Sequence, residues 1–227
     1  MPRLRYTFLL VVWMLAAQFS RAQNYAQFLP VQDVAAYHKD ILKNPQHKLV
    51  EISKAIPGIA LDIRYATTNN FMHRKMYPQG RAFARLPVVK ALQKVEAQLK
   101  PMSLGLKIFD AYRPYSITVD FFNVVHDTRF VADPKVGSKH NRGCAIDITL
   151  INLQTGKEIA MPTGFDSFNA SAGANYANLP ANVIQHRELL KSIMQRNGFK
   201  VNPDEWWHYD FNGWPSYPLL DVPFSQL

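Results

Sequence analysis

The stretch Gly143-Cys144-Ala145-Ile146-Asp147-Ile148-Thr149-Leu150 constrains the fold of this chain more than any other. Strand side chains alternate between faces. Gly143, Ala145, Asp147 and Thr149 therefore share a small, polar face, and Cys144, Ile146, Ile148 and Leu150 share an apolar one. Such a strand has to bury its apolar face in a core while a carboxylate points the other way. His140, in the segment Ser138-Lys139-His140-Asn141-Arg142, is too far from Asp147 for one helical turn, but the two can meet if His140 lies on the loop entering the strand. A distant segment, Glu205-Trp206-Trp207-His208, is the second half of the pattern. If Trp206 to Phe211 is a strand, His208 faces the same way as Trp206 and Asp210, and Glu205 belongs to the turn before it.

Two imidazoles and one carboxylate, His140, Asp147 and His208, can fill three corners of a tetrahedral zinc site. A fourth corner left to water is the catalytic arrangement of that metal, and Glu205 is placed to take a proton from the water. Spacing alone leaves the plainer reading open. A lone His is usually structural, as we read His38, His47, His73, His126 and His186, and the HExxH zinc-protease pattern is absent. Asp210 reads as a solvated charge, with a partner role for His208 as the alternative. Cys144 points away from the metal face and reads as a buried small hydrophobe rather than a nucleophile. As the one cysteine, it excludes an internal disulfide and cysteine ligation of zinc.

The N-terminus carries Arg3 and Arg5, an apolar run from Tyr6 to Ala17, and Ser20-Arg21-Ala22. This is a secretory signal pattern with cleavage between Ala22 and Gln23. An uncleaved anchor is the alternative, but the run is shorter than the roughly 20 residues that span a bilayer. The pattern predicts an exported, periplasmic or secreted protein without stable membrane insertion after cleavage. Removing residues 1–22 takes three arginines and no acid from a formal charge of +9. The remaining basic residues are scattered, which argues against a nucleic-acid partner. Hydrophobic content of 48% and charged content of 19% exclude disordered and fibrous classes. Nothing in the sequence sets an oligomeric state.

Residues 23–227 read as a single domain. A lead-in carries a short helix over Val31 to Leu42. Strand-like runs follow from Leu49 to Tyr65, and then a long functional loop from Ala66 to Arg85. Val88, Leu92, Val95 and Leu99 give Pro87 to Lys100 a helical period. Leu104 to Ala111 is a strand, and Ser116 to Val125 a helix with Ser116 available as its cap. A helix over Pro180 to Asn197 is ended by Gly198. Phe199 to Val201 and Trp206 to Phe211 supply the last strands. Helices and strands without strict alternation predict an α+β fold, helices against an antiparallel sheet.

Ser138-x-His140-x2-Gly143-x-Ala145-x-Asp147 and Glu205-x2-His208 resemble the signature of the D-alanyl-D-alanine metallopeptidases, whose relatives include zinc D,D-carboxypeptidases and the vancomycin-resistance D,D-dipeptidases. The dipeptidase branch is matched further. Leu61-Asp62-Ile63-Arg64-Tyr65-Ala66-Thr67 with Asn69-Asn70-Phe71 is similar to its N-terminal motif, and Phe109-Asp110-Ala111-Tyr112-Arg113-Pro114 to its central one. Met161-Pro162-Thr163-Gly164-Phe165-Asp166 is similar to the segment after its zinc strand. Together these motifs, from Leu61 to His208, lie across about residues 50–212.

The resemblance implies a fold of the hedgehog/D,D-peptidase kind and one zinc ion per chain on His140, Asp147 and His208. Glu205 would be general base and acid, and Arg113 would stabilise the oxyanion (its alternative is a structural ion pair with Asp110). Asp166 would hold the substrate's free amino group, and Ser138 and Tyr65 would line the pocket. The implied activity is hydrolysis of the small dipeptide D-Ala-D-Ala to two D-alanines in cell-wall peptide metabolism. The alternatives are a D,D-carboxypeptidase acting on peptidoglycan stem peptides, or a zinc-containing binding module without catalysis, since the hedgehog signalling domain shares this fold family. Some dipeptidases of the branch act in the cytoplasm, and the leader sets this chain apart from them.

Overall fold

The computed structural model describes residues 29–227, so the predicted leader at residues 1–22 lies outside the described residues. No helix among the described residues is long and apolar enough to cross a membrane.

The chain runs β1 (Val31–Gln32), α1 (Val34–Lys43), β2 (Leu49–Glu51), a helical turn Ile52–Ala55, β3 (Ala60–Leu61) and β4 (Phe83–Arg85). It continues through α2 (Leu86–Leu99), β5 (Leu104–Asp110), α3 (Tyr115–Val125), β6 (Ala145–Asn152), α4 (Ala181–Arg196), β7 (Phe199–Asn202), β8 (Glu205–Phe211) and β9 (Leu219–Leu220). A five-stranded sheet in the order β3-β5-β6-β8-β7 is the frame of the molecule. The predicted α+β class holds. The sheet is antiparallel except at one edge, where β3 runs parallel to β5.

β6 sits in the middle and is buried on both faces up to its last residue. Ile146, Ile148 and Leu150 join the core as their alternation requires. Helices α2 and α4 pack on this sheet and on each other. On α2 the predicted stripe of Val88, Leu92, Val95 and Leu99 is wholly buried, and each such side chain contributes about 1.5–3 kcal/mol. Pro87 sits in the first turn, where its missing N–H costs nothing.

Several local expectations shift. The lead-in helix begins at Val34, capped by Asp33, whose Oδ1 accepts from Ala36 N at 2.8 Å. Val31 and Gln32 instead form β1, parallel to β9 from the far end of the chain. Helix α3 starts one residue early, at Tyr115, so Ser116 is not its cap. The Ser116 N–H and Oγ–H both donate to Asp221 Oδ1, at 3.0 and 2.8 Å, and that distant carboxylate does the capping. Glu205 is the first residue of β8 rather than part of the preceding turn.

Candidate active site and metal centre

Strand register builds the site. Asp147 on β6 is the direct partner of His208 on β8 and, past a register shift, of Asp110 on β5. Side chains opposite one another across strands share a face with Cβ atoms about 4.5–5.5 Å apart. His140 reaches the same face from a 3-10 turn, His140–Arg142, which ends at Gly143 with φ +68°. A Cβ at Gly143 would lie 2.5 Å from Leu49 Cδ2, so the turn needs glycine both for its backbone and for the room.

The ligand atoms of His140, Asp147 and His208 all lie within 4.8 Å of one another. His140 Nε2 is 3.2 Å from His208 Nδ1 and 3.5 Å from Asp147 Oδ2, and His208 Nδ1 is 3.1 Å from Asp147 Oδ1. The far nitrogen of each ring is engaged. His140 Nδ1–H donates to the Ala111 carbonyl at 2.7 Å, and His208 Nε2–H donates to Asp210 Oδ1 at 2.9 Å. Both partners can only accept, so in their neutral form the rings turn lone pairs toward each other and toward a carboxylate. Asp147 Oδ1 is buried without a hydrogen-bond partner. Such a convergence suits a cation between the groups. A tetrahedral ion with bonds of about 2.0–2.2 Å spaces its ligands about 3.3–3.6 Å apart, close to the separations seen. The three residues fit a metal ion. Burial disfavours charge on His208, yet Asp147 and Asp210 raise its pKa well above the ordinary value.

Glu205 Oε2 lies 3.6 Å from His208 Nδ1 and accepts from Asn202 Nδ2 at 2.9 Å. Burial, aided by Asp147, pushes its carboxyl up to about 7. Arg113 is buried, and its Nε and Nη2 donate to Asp110 Oδ2 at 3.0 and 2.7 Å. The ion pair weighed from the sequence is therefore present. It leaves Nη1 free of hydrogen bonds to described residues, and Arg113 still lines the cavity. Burial opposes the guanidinium charge, but Asp110 and the neighbouring groups overcome it.

Asp166 lies in the left-handed region at φ +59° and accepts from Tyr65 O–H at 2.8 Å. Burial, reinforced by Asp147 and Glu205, raises its carboxyl well above the usual range. Ser138 Oγ accepts from the His140 N–H at 3.1 Å, steadying the turn that carries the histidine. All eight residues predicted for the site line one cavity of about 580 Å³.

Sequence reasoning misjudged or missed several supports. Asp210 is not solvated: it is 8% exposed, and its Oδ2 takes Lys139 Nζ at 2.7 Å. Asn141, fully buried, accepts from Ser138 N–H at 2.8 Å and donates to Arg113 O at 2.9 Å and Thr118 Oγ1 at 2.8 Å. It ties the histidine turn to the arginine loop. Cys144 behaves as expected, buried, with its thiol pushed up to about 12 by desolvation.

The sequence pattern of the D-ala-D-ala dipeptidase family matches residues 45–226. The D-alanyl-D-alanine dipeptidase of Escherichia coli (strain K12) is 33% identical over 178 residues, covering 78% of this chain and 92% of that protein. The D-alanyl-D-alanine dipeptidase of Enterococcus faecium is 28% identical over 194 residues, covering 76% and 96% respectively. A solved vancomycin-resistance D,D-pentapeptidase in complex with Zn(II) is 15% identical, covering 61% of this chain and 77% of that one, with a TM-score of 0.39.

Proposed function

The chain belongs to the D-ala-D-ala dipeptidase family of metallopeptidases, and from that premise we propose that it is a zinc enzyme, with one ion per chain, that hydrolyses free D-Ala-D-Ala to two D-alanines in cell-wall peptide metabolism. The observation that carries this reading is the convergence of His140, Asp147 and His208 beside Glu205, in the cavity that also holds Arg113 and Asp166.

His140, Asp147 and His208 would hold the ion. Bound zinc lowers the pKa of water to about 7 and polarises a carbonyl. Glu205 takes the proton of the attacking water and delivers it to the departing amine. A buried carboxyl beside the ligands can perform both transfers, and the Asn202 amide keeps it aimed. Arg113 meets the charge that develops on the carbonyl oxygen. Its guanidinium is fixed by Asp110 before substrate arrives, and a donor of this kind is worth about 2.7–4 kcal/mol in the transition state. Ser138 and Tyr65 shape the pocket.

Asp166 supports the dipeptidase over the carboxypeptidase. Asp166 faces the cavity with Tyr65 as its hydrogen-bond partner and no ion pair to a described residue, so the ammonium of a free dipeptide can supply its counter-charge. A longer peptide offers an uncharged amide there, leaving the group unmatched at about 1–3 kcal/mol or more. The leader motif supports a site of action outside the cytoplasm.

Release of D-alanine from D-Ala-D-Ala and from a muramyl pentapeptide, each before and after a chelator, tests the reading. We expect chelator-sensitive release from the dipeptide alone. Faster release from the pentapeptide would establish the carboxypeptidase, and no release from either would leave a binding module.

A further inference from the structure

The two histidines of the metal site are supported unequally. The partner of His140 is a backbone carbonyl, that of Ala111, fixed by the fold of the chain. The partner of His208 is a side chain, Asp210, two residues further along β8 on the same face, opposite Ala145. Asp210 is gripped from its other oxygen by Lys139 at 2.7 Å. Lys139 immediately precedes His140, and its Nζ lies 5.5 Å from the centre of the Trp214 ring. A closed circuit results, from His208 through Asp210 and Lys139 to the turn that carries His140. Nothing in the proposed reaction uses Asp210 or Lys139 directly.

We propose that Asp210 and Lys139 are positioning residues for the metal centre, setting the ring orientation and tautomer of His208 so that its Nδ1 lone pair meets Asp147 and His140. The inference rests on the metal reading of the trio. In Asp210→Asn, Lys139 can claim the one amide oxygen and leave the NH2 group facing Nε2 as a donor, so the ring carries its proton at Nδ1, where it opposes a cation. Lys139 acts one step further out, by holding the Asp210 carboxylate against the ring. Partners of this kind typically matter by about 10–100-fold in metal affinity.

The test is zinc affinity of the full chain, measured by competition with a chromophoric chelator, together with melting of the metal-free protein and kinetics at saturating zinc. Asp210→Asn should weaken zinc binding about 10–100-fold, and Lys139→Met should weaken it in the same direction by less. Asp210→Glu should recover part of the loss. At saturating zinc, KM should stay near that of the parent. The visible spectrum of the cobalt-substituted protein should change in Asp210→Asn. Zinc affinity within twofold of the parent in a folded Asp210→Asn overturns the proposal, and so does a variant that only melts earlier. If Asp210→Asn does not fold, Lys139→Met decides: weakened zinc supports the assignment, and unchanged zinc overturns it. A parent chain that binds no zinc overturns the metal reading itself, which is a separate and recognisable result.

Discussion

Substituting Gly143 by alanine probes whether the histidine turn is held by backbone geometry. Gly143 sits at φ +68°, where an L side chain costs about 1–2 kcal/mol. Its new Cβ would meet Leu49 Cδ2 at 2.5 Å and Arg85 Cγ at 3.4 Å. Leu49 is 4% exposed and Arg85 is fully buried, so neither can swing clear. Overpacking of this kind adds about 1–3 kcal/mol. The sum, about 2–5 kcal/mol, lowers Tm by roughly 4–20 °C in a domain of this size. Gly58→Ala is the internal control, since Gly58 has φ +89° and an added methyl group there would meet nothing within 4 Å. Both changes reduce unfolded-chain entropy by a similar amount, about 0.4–1 kcal/mol. Their difference therefore isolates the steric part. Thermal unfolding of the metal-free chain followed by circular dichroism, with zinc titration alongside, gives both stability and site integrity. Gly143→Ala should melt below Gly58→Ala and bind zinc more weakly, because the turn that shifts is the one carrying His140. Equal Tm values for the two variants, or undiminished zinc affinity, would refute the reasoning.

Glu205→Gln should lower kcat about 10²–10⁴-fold while the chain retains zinc; loss of metal in step with activity would make Glu205 a ligand instead. Arg85 donates to the carbonyls of His47, Arg142 and Pro218, three segments far apart in sequence. Arg85→Met should destabilise by about 1–3 kcal/mol, since a buried cation and its bonds to three part-buried carbonyls are lost; a denaturant midpoint near that of the parent would show the carbonyls find other partners. Glu51 is drawn down to about 2 by Arg81, against burial, with Lys54 assisting. A depressed carboxylate stabilises fully above its unfolded value near 4.5 and loses this as pH falls through about 2. Glu51→Gln should thus melt lower than the parent at neutral pH, with the gap closing on acidification, and a gap that persists at pH 2 would contradict the pairing.

Much of the site was legible because its cues are local or periodic. The alternation from Gly143 to Leu150 placed Asp147 opposite the core, and the stripe on α2 marked its buried face. What escaped depends on partners distant in sequence. Ser116 looked like a helix cap because its true acceptor, Asp221, lies at the other end of the chain. Asp210 looked solvated because nothing near it in sequence announces Lys139, which reaches it from another loop. Glu205 looked like a turn residue because the irregular pairing at Val201 and Asn202, which admits it to β8, belongs to the neighbouring strand. The pairing of β1 with β9 joins two-residue segments too short to carry a period.

The direct opposition of Asp147 and His208 across β6 and β8 has a bearing on how the chain matures. A slip of one residue between these strands would turn one of the pair to the wrong side of the sheet. An ion seated there would join neighbouring strands, and only the correctly paired sheet would present both ligands to it. The same register that places two ligands side by side would thus make metal uptake a reporter of correct strand pairing.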